Sequence, residues 1–175
     1  MRDYFQRYVK IILELEGGGK ITVDTGGITK YGISKKAYPN LDIEKLTEEE
    51  AIEIYRRDYW ERIKGDEIAG ISEVLAFCVF DYSVNSGVWG ASAMLQKVLI
   101  KFFGMELKVD GVIGIKTIEA IKKVVERGYE EELISRYVAE RIGFIDILPR
   151  EKYGKYLPGL CYRVLKGLVR VYAGR

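Results

Sequence analysis

From Ser72 to Ser86 the chain carries Val74, Leu75, Phe77, Cys78, Val79, Phe80, Tyr82 and Val84, with almost no polar face. A helix that is apolar all round has no side to give to water, so it belongs at the centre of a domain. Gly87 closes it, and a further helix is expected from about Trp89 to Phe103. Asp81 and Asn85 interrupt the apolar run four residues apart, on one helix face. Buried polar groups need partners, so this pair must join a hydrogen-bond network or line a wet cleft. With 175 residues the chain suits one domain, large enough to bury such a core.

The flanking sequence is also mainly helical. Phe5, Tyr8, Val9, Ile12 and Leu15/Glu16 recur at helical spacing behind an Asp3–Gln6 cap signal. Gly17, Gly18 and Gly19 end that helix, since glycine readily takes the left-handed conformation of a C-cap. Lys20 to Val23 and Ile28 to Ile33 read as a two-stranded ribbon around the turn Asp24-Thr25-Gly26-Gly27. Thr47-Glu48-Glu49-Glu50 is a capping box for a helix expected to reach about Ile63, with Gly65-Asp66 as its stop. Val109 to Gly114 reads as a tight turn. Helices follow from Lys116 to about Arg127, from Tyr129 to about Leu148, and from Pro158 to about Tyr172. The expected class is mainly α (α+β), with a small β-ribbon near the N-terminus. Residues 1–90 and 91–175 are expected as two parts packed as one globular unit.

Composition removes whole classes of chemistry. The chain has no histidine, so His-based triads and His-ligated metal sites are impossible, and two cysteines alone do not complete a structural zinc site. No cofactor and no metal are expected. Cys78 and Cys161 lie in apolar segments and read as buried free thiols rather than a disulfide. Net charge is +2, from 28 basic and 26 acidic residues, which gives no basic stripe for nucleic acid. No run approaches the ~18 apolar residues of a membrane span, and the N-terminus has no signal-peptide pattern. A monomer made in the cytoplasm is expected, without stable membrane insertion.

Catalysis must then come from carboxylates, hydroxyls, tyrosines or lysines. Helical phase places Glu16 at the edge of the apolar stripe, while Glu14 points to solvent. Lost hydration and the helix C-terminal dipole both favour the neutral form of a carboxyl placed there. Asp24, in an open turn, is expected to stay ionised, and Thr29 lies just beyond it. Two carboxyls in contrasting environments suit glycoside hydrolysis, in which one protonates the leaving group and the other handles water or the developing cation. The plainer readings are a helix-ending Glu, a turn Asp bonded to its own backbone and a strand-forming Thr. Tyr31, Tyr59 and Trp60 are candidates to stack on sugar rings, against the alternative of core packing. Asp81 and Asn85 are candidates to line the cleft.

Glu16-Gly17-Gly18, followed by Asp24-Thr25-Gly26-Gly27-Ile28-Thr29-Lys30-Tyr31-Gly32-Ile33, resembles the signature of glycoside hydrolase family 108. The family comprises predicted N-acetylmuramidases and includes secretion activator proteins and phage endolysins. The resemblance continues through Leu46-Thr47, Asp58-Tyr59-Trp60, Gly65-Asp66, Phe80 to Gly87 and Leu95-Gln96. It extends to Asp110-Gly111-Val112-Ile113-Gly114 with Thr117, and to Tyr156-Leu157-Pro158-Gly159. It implies a lysozyme-like fold with Glu16 as general acid, and peptidoglycan as substrate. A looser similarity to phage-type lysozymes implies catalytic places for Asp24 and Thr29. The chain departs from the family in a shorter stretch between Glu16 and Asp24, and in Thr25 where proline is expected.

The expected activity is therefore bacteriolytic cleavage of the β-1,4 bond between N-acetylmuramic acid and N-acetylglucosamine. A lytic transglycosylase and a weakly active wall-binding or scaffolding module are the alternatives. The Leu95 to Thr117 segment resembles a peptidoglycan-binding repeat, whose plainer role is a fold-stabilising helix hairpin. Action on the cell wall is expected after release through a holin-like pore or host lysis.

Overall fold

In the computed structural model, which describes residues 3–24, 27–146 and 157–173, the Asp3 carboxylate accepts a hydrogen bond from the Gln6 N–H at 3.0 Å. This caps α1 (Tyr4–Leu15), whose Phe5, Tyr8, Val9, Ile12 and Leu13 are buried. Each such side chain contributes about 1.5–3 kcal/mol when taken from water. The next segment is a three-stranded antiparallel sheet, β1 (Thr22–Asp24), β2 (Gly27–Lys30) and β3 (Ile33–Ser34), in sequential order. The third strand exceeds the expected two-stranded ribbon. Tyr31 and Gly32, at φ 54° and 76°, turn the chain back on itself, and Ile33 becomes the buried residue of β3.

α2 (Glu48–Tyr55) begins at the expected capping box, with reciprocal bonds between Thr47 and Glu50. It does not continue to Ile63. A π-helical turn takes over at Arg56–Trp60, and Lys64, in the left-handed region, redirects the chain into a short α3 (Gly65–Ala69). Gly65 therefore starts a helix where a stop was expected.

The apolar run forms the first half of α4 (Glu73–Phe103), in which Val74 through Ser83 are all buried. As expected, two helical stretches meet at Gly87, which leaves helical geometry at φ 78° and ψ 156°; they are taken together as α4 with a kink at that residue. Among the described residues no helix is long and apolar enough to cross a membrane. α5 (Ile115–Glu126), α6 (Glu130–Asp146) and α7 (Leu157–Ala173) are the remaining helices among the described residues. The expected end of the sixth helix near Leu148 lies outside the described residues. The fold is of the mainly α, lysozyme-like class, with its small sheet near the N-terminus.

Two compact units divide the chain, Met1–Asp58 and Tyr59–Arg175. In the first, α1, the sheet and α2 supply the buried residues Ile12, Ile33, Ile54 and Tyr55. In the second, α6 and α7 pack on α4 and on each other. The expected boundary at residue 90 falls inside α4, three residues past its kink.

Candidate active site

Glu16 is the C-cap of α1; its N–H donates to the Ile12 carbonyl at 2.9 Å, and the Gly17 N–H donates to the Glu14 carbonyl at 3.3 Å. It is half-buried, whereas Glu14 is exposed, the difference that helical phase implies. The carboxyl stem lies over the β2–β3 turn. A Cβ added at Gly32 would stand 2.7 Å from Glu16 Cγ and 2.8 Å from Cδ. It would also stand 2.6 Å from the Tyr55 hydroxyl oxygen. Gly32 therefore has two reasons to be glycine, its positive φ and the two side chains that occupy its missing methyl's place.

The turn itself is fixed from both sides. The Tyr31 N–H donates to the Gly18 carbonyl at 3.2 Å, and the Tyr55 hydroxyl donates to the Tyr31 carbonyl at 2.8 Å. These bonds hold a non-glycine residue at φ 54°, a conformation that persists only where its surroundings over-determine it. The Tyr31 ring lies against Gly19, whose added Cβ would be 2.8 Å from the Tyr31 hydroxyl oxygen. The glycine run after α1 thus ends the helix and also lets Tyr31 approach. Lys30 sits 5.6 Å from the Tyr31 ring centroid, and its ammonium donates to the Glu44 carbonyl at 3.0 Å.

Thr29 is half-buried in the middle strand, directly opposite Thr22 on β1 and Ser34 on β3. Directly paired residues share a face, so three hydroxyl side chains form a row across the sheet. Asp24 ends β1 with its backbone opposite Gly27. The Asp24 side chain, and Thr25 and Gly26, lie outside the described residues.

Two of the remaining candidates stand where no sugar reaches them. Trp60 is 0% exposed, its ring edge-on to Phe80 at 5.3 Å and its benzo face filling the space that a Cβ on Gly65 would need. It is a core residue and has no free face for stacking. Asp81 is 1% exposed. Its carboxylate accepts from Arg141 Nη1 at 2.6 Å, and from Arg163 Nε and Nη2 at 3.1 and 3.0 Å. Its need for partners is met by a buried ionic network joining α4, α6 and α7, not by a cleft. Asn85 is exposed, and its amide donates to the Asp81 carbonyl at 2.8 Å. Tyr59 is half-buried.

Tyr55 and Gly32 are the participants that sequence reasoning did not single out. Tyr55 is 1% exposed, a core residue of α2 whose hydroxyl reaches the turn through its bond to the Tyr31 carbonyl. A glycine one residue after a tyrosine in a short turn was the available signal for Gly32. The assembled site is a half-buried carboxyl beside a phenol, on a turn with fixed geometry, which suits transfer of a proton to a bound leaving group.

Residues 9–87 match the family model described as Glycosyl hydrolase 108, and residues 90–163 match Predicted Peptidoglycan domain. Among solved structures, SagA of Brucella abortus is similar, with a TM-score of 0.73 and 25% identity, over 96% of this chain and 95% of that one. No curated protein matches the chain.

Proposed function

Because the chain belongs, through residues 9–87, to the glycosyl hydrolase 108 family, we propose that it is a lysozyme-type N-acetylmuramidase with Glu16 as its general acid. At the coarser level, the family segment followed by a peptidoglycan-domain segment makes it a glycoside hydrolase that acts on peptidoglycan. The finer reading rests on one observation, the half-buried Glu16 carboxyl held over the Gly32 turn beside Tyr55.

In this reading Glu16 gives its proton to the glycosidic oxygen between N-acetylmuramic acid and N-acetylglucosamine as the C1–O bond breaks. The oxocarbenium-like centre is taken by water, which leaves a reducing sugar and returns a proton to the enzyme. Asp24 stabilises the cation or activates the water, with Thr29 and its row of hydroxyls positioning that water. Tyr31 offers a ring to the sugar, and Tyr59 and Asn85 are retained as binding residues.

Digestion of purified peptidoglycan by wild type and Glu16→Gln, with mass analysis of the products, tests the proposal. Loss of general acid catalysis should lower turnover by about 10²–10⁴-fold, with unchanged thermal stability. Native-rate digestion by Glu16→Gln removes Glu16 from the role, and anhydro sugar ends from wild type replace hydrolysis with transglycosylation.

A further inference from the structure

The reaction above makes no use of Trp89. It follows the Gly87 kink in α4 and is 64% exposed, whereas Trp60 is wholly buried. Its indole is nonetheless fixed in place. The five-membered ring lies against Gly111, where an added Cβ would stand 2.2 Å from Cδ1 and 2.4 Å from Nε1. Gly111 has φ +73°, so any side chain there would be strained as well as obstructed.

The loop that carries Gly111 is itself clamped. Gln96 is 1% exposed. Its side-chain oxygen accepts from the Asp110 and Gly111 N–H groups at 3.1 and 2.9 Å. Its amide donates to Asp110 Oδ1 at 2.8 Å and to the Val112 carbonyl at 3.0 Å. Asp110 Oδ1 also accepts from the Val112 N–H at 3.0 Å. The Asp-Gly turn therefore stabilises the hairpin and also builds a rigid base under the indole. Val112, on the same loop, is 64% exposed, and Ile115, the first residue of α5, is 80% exposed.

We propose that Trp89, seated on the Gly111 turn with Val112 next along the chain, is a carbohydrate-stacking shelf for the N-acetylated glycan strand of peptidoglycan. The inference rests on peptidoglycan as the substrate. A pyranose ring presents a face of C–H groups that an indole covers, and an N-acetyl methyl group suits the exposed aliphatic side chain of Val112. A pinned aromatic loses little freedom on binding. The polymer is selected over a protein partner because the segment from residue 90, adjoining Trp89, matches a peptidoglycan domain.

Binding is measured in the Glu16→Gln background, so that turnover does not confound it. The probes are insoluble peptidoglycan in a sedimentation assay and the soluble tetramer of N-acetylglucosamine in fluorescence. The tetramer should shield the exposed tryptophan from acrylamide, and Trp60 should contribute no quenching with or without it. Trp89→Ala should weaken sedimentation with peptidoglycan by about tenfold, the effect of one lost stacking contact. Trp89→Phe should restore most of it. Should Trp89→Ala misfold by circular dichroism, Val112→Asp is read in its place and should weaken binding likewise. Unchanged binding in the readable variant overturns the proposal, as does unchanged quenching with the tetramer. Conversion of a dimer to a monomer by Trp89→Ala would make the patch a protein interface and overturn it too. Full turnover by Glu16→Gln would instead remove the acid assignment, and the binding comparison would be read on its own.

Discussion

An alanine at position 32 would set its methyl group 2.6 Å from the Tyr55 hydroxyl oxygen and 2.7 Å from Glu16 Cγ. It would also hold an L-residue in the left-handed region, at a cost of about 1–2 kcal/mol. Gly32→Ala should therefore lower the melting temperature and reduce turnover by more than that loss of stability explains, because Glu16 must move. Tyr55→Phe is the milder companion. It deletes one hydrogen bond to the Tyr31 carbonyl, about 1 kcal/mol, and should lower kcat while the protein stays folded. Denaturation curves measured alongside peptidoglycan turnover check both. At this scale helical phase separated Glu16 from Glu14 in the sequence alone. The same reasoning could not distinguish Trp60 and Asp81 from cleft residues. Periodicity says which face a side chain occupies, but whether solvent, ligand or another helix covers that face depends on residues as remote as Arg163.

Among the elements, capped and strongly patterned helices were legible. Thr47 with Glu50 marked the start of α2, and Gly87 marked the break in α4. β3 was not legible, because two residues carry no periodicity and the turn before it uses a tyrosine at positive φ. The π-turn and α3 were missed because Lys64, not a glycine, takes the left-handed conformation. The Asp110 loop yields a prediction with a definite sign. Its bonds with Gln96, then that from the Val112 N–H, hold the Asp110 carboxyl below its ordinary value of 3.8. A carboxyl depressed on folding adds stability above its unfolded value and loses that contribution as pH falls through its folded one. Asp110→Asn should therefore flatten the fall in stability as pH drops below the ordinary carboxyl value of 3.8, as read by urea titration at each pH. Cys78 supplies another. Burial pushes its thiol up to about 12, so in native protein at mildly alkaline pH it should resist disulfide reagents. Cys161, free and half-buried, should react first, and the second thiol should appear only on unfolding.

Over the whole molecule, the order of parts was readable: the glycine-ended helix and ribbon first, the Asp-Gly hairpin after. The placement of the unit division at 58/59 was not, since no change of composition marks it. The largest expected stability effect belongs to Asp81. Removing one member of a buried ionic group leaves uncompensated charge and costs about 3–5 kcal/mol. Asp81→Ala should show that loss in chemical denaturation, in contrast to exposed pairs such as Lys122–Glu126, whose removal should cost at most about 1 kcal/mol.

The partners of Asp81 lie 60 and 82 residues further along the chain. Bonds of such long sequence separation require large loops to close before they give any return, and they slow folding. During synthesis Asp81 and Arg141 both exist before Arg163 is made. A nascent chain that stops short of α7 has a carboxylate destined for the interior with one arginine in place of two. Arg141 already balances the charge of that carboxylate through Oδ2, so what the last helix brings is the pair of Arg163 donors to Oδ1, and the hydrogen bonding of the central helix is completed only when it arrives.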